Sequence, residues 1–396
     1  MSEPTLKRRI GPGLLTAYGV GVMVGAGIYV LVGAVAAQAG VHAPLAFLLA
    51  GLVAAPTALS YAEFSTRLPR AAGEALYVAE GLNIRALSLL VGLAIVVAGT
   101  ISAAAVLRGG AGYLQLVIEV PPVWAIVGIG AALIAVAVVG VLESLALAAV
   151  FTLIEVAGLG LVVWAGMQAP PSPDLTTTWP DLSLMPGIAA GAALAFFAFI
   201  GFEDIVNMAE EVRDPARTLP RAILWSLAIT ALLYGGVTYV AVRSVPLEAL
   251  SVSERPLALV WQAGQGGEAR FLSAIAVVAA LNGVLVQVVM AARVLFGLGD
   301  RHPAMAMFHR AHPRTGTPVL ATLLVGACVI AAALMLPVAV LAGVTSSVLL
   351  AVFGLVNLAL ILLKRRDPAA PFRVPMAVPV LGLLLSVAAF AATLLP

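Results

Sequence analysis

Apolar residues run along this chain in long blocks, at about 12–38, 44–66, 86–118, 122–142, 146–168, 187–210, 221–243, 271–299, 318–337, 338–363 and 375–395, with polar residues gathered between them. As helices, most of these blocks are long enough to cross a hydrocarbon core of ~30 Å. The pattern therefore predicts eleven spans. The weakest divisions fall at Val120-Pro121-Pro122 and Leu336-Pro337, where neighbouring blocks nearly merge. The first block is too long for a signal-peptide core and no clear cleavage site follows it, so it reads as a retained span. Of the 396 residues, 62% are hydrophobic and 10% charged, where a soluble domain carries about 25% charged residues. That balance excludes a water-soluble domain. The expectation is an all-α polytopic membrane protein.

Charge orients the spans. Lys7, Arg8 and Arg9 precede the first block; Arg67, Arg70 and Arg85 flank the second connection; Arg213, Arg217 and Arg221 follow the sixth block; Arg293, Arg301, Arg310 and Arg314 follow the eighth; Lys364, Arg365, Arg366 and Arg373 follow the tenth. These are 17 of the 21 basic residues, and all fall on one side if the N-terminus is cytoplasmic. Residues 69–83, on that side, have the Ala/Glu/Leu content of a short interfacial helix. Residues 169–186 and 246–268 read as external polar loops, and 300–318 as an internal loop carrying His302, His309 and His312. These histidines alternate with Arg and Pro rather than sharing one helical face, which argues against a metal site. Cys328 is the single cysteine, so no intrachain disulfide forms.

Two blocks carry glycines near their own midpoints. The first reads Gly19-Val-Gly21-Val-Met-Val-Gly25-Ala26-Gly27-Ile28, and the sixth has Ile200-Gly201-Phe202. Glycine costs a helix about 1 kcal/mol relative to alanine. The two blocks lie five spans apart, so they cross in opposite senses. Interrupted segments at matching places in two halves are the sequence sign of an inverted-repeat transporter. The halves are 1–168 and 187–363, with 375–395 as an additional helix. A break at Gly25–Ile28 exposes N–H donors suited to a carboxylate. Carbonyls ending the outer half-helix at Ile200-Gly201 suit an ammonium. Phe197, Phe199 and Phe202 are placed to cover such a solute. The competing reading of the glycines is close helix packing.

Glu203 and Glu155 are acids at bilayer depth, where a carboxylate costs roughly 2.5–3.5 kcal/mol on insertion scales. Either can take a proton from one side and release it on the other; the competing reading is a structural acid bonded to a neighbouring helix. Asp204 faces about 100° away from Glu203 on an ideal helix. Glu63, near the inner end of the second block, is expected to pair with a basic residue. Asn282, Gln287 and Thr345-Ser346-Ser347 are polar groups at membrane depth; they read first as hydrogen-bonding groups between helices, and the competing reading is that they face a cavity. The mixed charges of 210–221, including Glu210, Glu211, Arg213 and Asp214, are suited to ion pairs at an inner gate. No phosphate-binding loop, HExxH or Cys/His metal spacing is present, so the chain reads as a non-enzyme without cofactor or nucleic-acid partner.

Gly25-Ala26-Gly27-Ile28-Tyr29, Ser60-Tyr61-Ala62-Glu63 and Leu68-Pro69-Arg70-Ala71-Ala72-Gly73-Glu74 resemble the start of the amino acid–polyamine–organocation transporters. Gly201-Phe202-Glu203, Ala209-Glu210-Glu211-Val212 and Asp214-Pro215-Ala-Arg217-Thr-Leu-Pro220 extend the resemblance, which runs to Thr317-Pro318. It implies a five-plus-five inverted repeat with the first and sixth helices unwound. It also implies a substrate α-carboxylate on Gly25–Ile28, an α-amine on the carbonyls around Phe199–Gly201, Phe197 as an occluding ring, and Glu203 as a gating or proton-sensing acid. At the place of Glu155 several proton-coupled relatives carry a lysine, and Ala291-Ala292 stand where relatives often have serine before the arginine, here Arg293. The second departure argues against sodium coupling.

The expected function is secondary active transport of amino acids across the cytoplasmic membrane by alternating access, with proton-coupled symport or exchange. The partners are amino acid, proton and lipid bilayer, for a monomer or a homo-oligomer. A polyamine or amine antiporter or facilitator, and a non-transporting amino acid receptor on the same scaffold, are the alternatives.

Overall fold

The computed structural model describes residues 10–68, 73–115, 118–139, 145–175, 180–209, 212–253, 255–267, 270–310, 312 and 317–393. Lys7, Arg8, Arg9, Arg70, Glu210, Glu211 and Arg314 lie outside that set. The described residues form helices in every one of the eleven predicted blocks. The first block is two helices, α1 (Pro12–Val24) and α2 (Ala26–Ala39), and the second is α3 (Ala43–Arg67). The chain turns between α2 and α3 at Gly40, whose φ is +57°. Then follow α4 (Gly73–Leu82), α5 (Arg85–Leu114), α6 (Pro122–Val139), α7 (Leu145–Gln168) and α8 (Met185–Phe196). The second half continues with α9 (Pro215–Ser244), α10 (Leu247–Val252), α11 (Pro256–Gln265), α12 (Arg270–Arg301), α13 (Val319–Met335), α14 (Val338–Arg366) and α15 (Ala377–Thr393).

Among the described residues, seven helical stretches are long and apolar enough to cross a membrane, and α1, α6, α13 and α15 are shorter apolar helices. Their outer faces keep large apolar side chains such as Leu52, Leu90, Trp124, Leu153 and Leu232 exposed. Hydrocarbon, not water, is the solvent that tolerates such a belt. Both weak divisions are real. The chain is extended at Leu336 (φ −122°, ψ 140°) before Pro337 opens α14, and Pro121 precedes α6.

The residues read as a short interfacial helix form α4, but it is packed inward, with Glu74, Tyr77 and Val78 buried. The supposed polar loop at 246–268 is largely helical. Pro256 begins α11 with its ready-made φ, and Leu250 and Leu257 are fully buried. The carbonyl of Leu250 lies against Gly33 of α2 so closely that no side chain would fit there.

Among the described residues, Arg67, Lys364 and Arg366 gather where α3, α4 and α14 end, the basic end of the molecule. Glu63 of α3 is buried there and fully compensated. Its Oε1 accepts from Arg67 at 2.7 Å, and its Oε2 accepts from Lys364 at 2.6 Å and from the Val374 N–H at 2.9 Å. The expected pairing of Glu63 is thus a three-way junction of α3, α14 and the segment before α15. Above it, Asn357 of α14 accepts from Ser60 at 2.6 Å and donates to Thr57 at 2.9 Å, so α3 and α14 are joined within the apolar layer. Arg217 and Asp214 make an ion pair at 3.8 Å, but both are exposed, and an exposed pair contributes little.

Candidate functional site

The first block breaks at a single residue. Gly25 (φ −41°, ψ −170°) ends α1 and opens α2. With glycine at the N-cap, no side chain caps α2. Its first-turn N–H groups stand at the positive end of the helix dipole.

The sixth block breaks over a longer stretch. α8 tightens into a 3₁₀ turn at Phe197–Phe199, Ile200 is extended (φ −61°, ψ 135°), and Gly201 takes φ +123°. That φ favours glycine. The space does too, because a Cβ at Gly201 would lie 2.6 Å from Val22 Cγ1 and 3.2 Å from the Val22 carbonyl carbon. A second 3₁₀ turn, Glu203–Met208, follows. Glu203 folds back so that its Oε2 accepts the Gly201 N–H at 2.9 Å.

The two breaks lie against each other. A Cβ at Gly27 would meet the Ala198 Cα at 3.3 Å. Tyr234 of α9 joins them, its hydroxyl lying 2.5 Å from the Met23 carbonyl and 2.9 Å from the Ala198 carbonyl. A hydroxyl has one proton, so it serves these acceptors in turn or shares between them.

A cavity of about 50 Å³ opens at this crossing, with Gly25 and Gly27 from one break and Phe197, Ala198 and Ile200 from the other on its wall. A larger cavity of about 400 Å³ shares Ser102, Ile200 and Gln287 with it and extends past Glu203, Asp204 and Glu74 to Arg293 and His302. It lies toward the basic end of the molecule.

The predicted site residues divide. Gly25, Gly27, Phe197 and Ile200 are on the wall of the small cavity, and Ile200 and Glu203 are on the wall of the larger one. Ala26 supplies the first backbone unit of α2. Ile28, Phe199 and Phe202 are fully buried behind that wall. Phe199 packs on Tyr234 (centroids 5.2 Å apart), and Phe202 on Tyr61 (5.7 Å) and Phe353 (5.2 Å). One ring, Phe197, is left to cover the cavity. Glu155 of α7 lines neither cavity. It is 1% exposed, and neither carboxyl oxygen has a hydrogen-bond partner among the described residues. The Tyr29 hydroxyl donates to its backbone carbonyl at 3.3 Å. Asn282 and Gln287 follow their second reading and face the small cavity, and Asn282 Oδ1 has no partner among the described residues. Ser347 does bond between helices, to Thr393 of α15 at 2.9 Å.

Helices interrupted at a shared cavity are compatible with several transporter families, and sequence comparison separates them. The family model described as amino acid permease matches residues 14–396. The chain belongs to the amino acid permease family. It is similar to the vacuolar cationic amino acid transporter 2 of Arabidopsis thaliana, with 31% identity over 84% of this chain. It spans only 55% of the length of that plant protein. The branched-chain amino acid permease BcaP of Bacillus subtilis (strain 168) is 28% identical over 93% of this chain and 83% of its own length. A methylthioribose transporter of the same bacterium is 29% identical over 96% of this chain and 86% of its own length.

The sequence pattern points to the glycines at the crossing but not to Tyr234 or Ser102. Tyr234 shares its block with the hydroxyls of Ser226, Thr230, Thr238 and Tyr239, so nothing in the sequence singled it out.

Proposed function

We propose that this member of the amino acid permease family is a secondary active transporter of amino acids, working by alternating access on a five-plus-five inverted repeat. The observation that carries the reading is the small cavity, where the N-terminus of α2 and the carbonyl end of α8 meet across Gly25, Gly27, Phe197 and Ile200. A positive helix end and a negative one, facing a common space, match the carboxylate and amine that every α-amino acid carries. The α-carboxylate sits on the backbone at Gly25–Ile28 and the α-amine on carbonyls of Phe199–Gly201. Phe197 closes over the bound solute.

With the N-terminus and the basic end on the cytoplasmic side of the cell membrane, the larger cavity is the route between the site and the cytoplasm. Transport is proton-coupled, as symport or exchange. Glu203 carries the proton beside the second break, with Glu155 as the other carrier. The different substrates named for the relatives leave the side chain to be read from this chain's own cavity wall.

Counterflow in proteoliposomes tests the function. Vesicles preloaded with a mixture of unlabelled neutral amino acids should accumulate a labelled one transiently, and a carboxyl-blocked analogue should fail to drive it. Binding of amino acid without any flux would sink transport while leaving a receptor.

A further inference from the structure

The small cavity has one end made of main chain and another made of side chains. The main-chain end is the crossing of the two breaks. The side-chain end is formed by Ser102 and Val106 of α5 and by Asn282, Val286 and Gln287 of α12. No acidic or basic side chain lies on its wall among the described residues. Asn282 Oδ1 is a buried acceptor without a donor among the described residues. An acceptor in that condition costs free energy until a donor arrives, so the native protein rarely keeps one without use. The space is also small. At about 50 Å³ it is about an eighth of the larger cavity it adjoins.

We infer that Asn282, with Ser102 on the wall of the same cavity, forms the side-chain subsite for a small hydroxyl-bearing amino acid, serine or threonine. This rests on the proposed amino acid site and names its substrate class. The substrate hydroxyl donates to Asn282 Oδ1, and Val106, Val286 and Phe197 limit its length. A leucine side chain leaves the acceptor unmet. An arginine side chain finds no counter-charge there, because Glu203 and Asp204 face the larger cavity beyond Ser102, Ile200 and Gln287. A site built to bond a hydroxyl discriminates against the analogue lacking it far better than an apolar pocket discriminates by size.

The test is equilibrium binding of L-serine, L-alanine, L-leucine and L-arginine to the purified full chain, to Asn282→Leu and to the milder Ser102→Ala. In the wild type, serine should bind at least tenfold more tightly than alanine, leucine or arginine. In Asn282→Leu the serine-to-alanine ratio should fall about tenfold, and in Ser102→Ala it should fall less. Arginine or leucine binding as tightly as serine overturns this inference and leaves the amino acid site standing. A serine-to-alanine ratio unchanged in both variants also overturns it. If none of the four binds the wild type, the amino acid site itself is wrong, and the subsite goes with it.

Discussion

The hydroxyl of Tyr234 lies 2.5 Å from the carbonyl of Met23, at the last turn of α1 before its break, and the same hydroxyl reaches Ala198 of the other interrupted segment. Unwound backbone in an apolar layer must find partners, because an unmet carbonyl there costs several kcal/mol. Tyr234 supplies one donor to two such carbonyls and so couples the position of one break to that of the other. Tyr234→Phe keeps the ring that packs on Phe47 and Phe199 and removes only the donor. The expected loss of stability is about 1–2 kcal/mol, with a larger proportional loss of amino acid affinity. Thermal unfolding and substrate titration on the same preparation check this; unchanged affinity would show that the two breaks are held by packing alone.

Glycine at 201 and glycine at 25 answer different demands. At Gly201 both the φ of +123° and the nearness of Val22 exclude a side chain. Gly201→Ala should therefore cost several kcal/mol through strain and overpacking and give a poorly folded protein. Gly25 has a negative φ, and a Cβ there would meet only the Val22 carbonyl oxygen, at 3.7 Å. Gly25→Ala should fold within about 1 kcal/mol of wild type. If the α2 N-terminus holds a carboxylate, the added methyl group on the cavity wall should still weaken amino acid binding roughly tenfold, about 1.4 kcal/mol. Normal melting with weakened binding is the expected pair of results; normal binding would remove the carboxylate from this helix end.

The proton hypothesis is tested by two variants that keep shape and remove titration. Glu203→Gln retains an oxygen able to accept the Gly201 N–H, so the second break should keep its geometry. Glu155→Gln changes a group whose oxygens have no partner in the described structure. Uptake into proteoliposomes, measured from pH 5 to pH 8 with and without a pH gradient, should lose its pH dependence in one of the two. Exchange at symmetric pH should survive in that variant. Unaltered profiles in both would end the assignment of the proton to these acids.

How much of this was visible in the sequence follows from what each feature depends on. The helical blocks depend on composition over about twenty residues, which a linear reading captures. The breaks depend on local glycine, and Gly25 and Gly201 stood out. Contacts between distant helices depend on rotation and register, which hydrophobic spacing does not carry when a block is apolar all round. Tyr234 meets residues 211 and 36 positions away, and nothing in its own block states either pairing. The three phenylalanines failed as a set for a local reason. A 3₁₀ turn advances 120° per residue where an α-helix advances 100°, and the extended Ile200 then resets direction. Phe197 therefore faces the cavity while Phe199 and Phe202 turn to α9 and α14. The segment 246–268 was misread because its few buried leucines are spaced among prolines and charges.

Glu74 of α4 lies outside the membrane-spanning helices and gives a prediction about stability rather than transport. It is buried, and burial raises its carboxyl above the ordinary carboxylate range; its own backbone N–H and the Tyr61 hydroxyl, 3.3 Å from Oε1, offset part of that. A carboxyl raised on folding binds more protons in the native state than in the unfolded one. Stability then falls as pH rises from the unfolded value toward the folded one, and the deficit is fully present above both. Glu74→Gln preserves an acceptor for Tyr61 and removes the charge. It should raise the midpoint of thermal unfolding at pH 7.5 by roughly 2 °C, on the order of 1 kcal/mol, and by less at pH 4.5, where more of the wild-type carboxyl is protonated in the folded protein. An equal gain at both pH values would mean that the benefit comes from packing, and a loss at pH 7.5 would mean that the ionised carboxylate is held by a partner in the folded state.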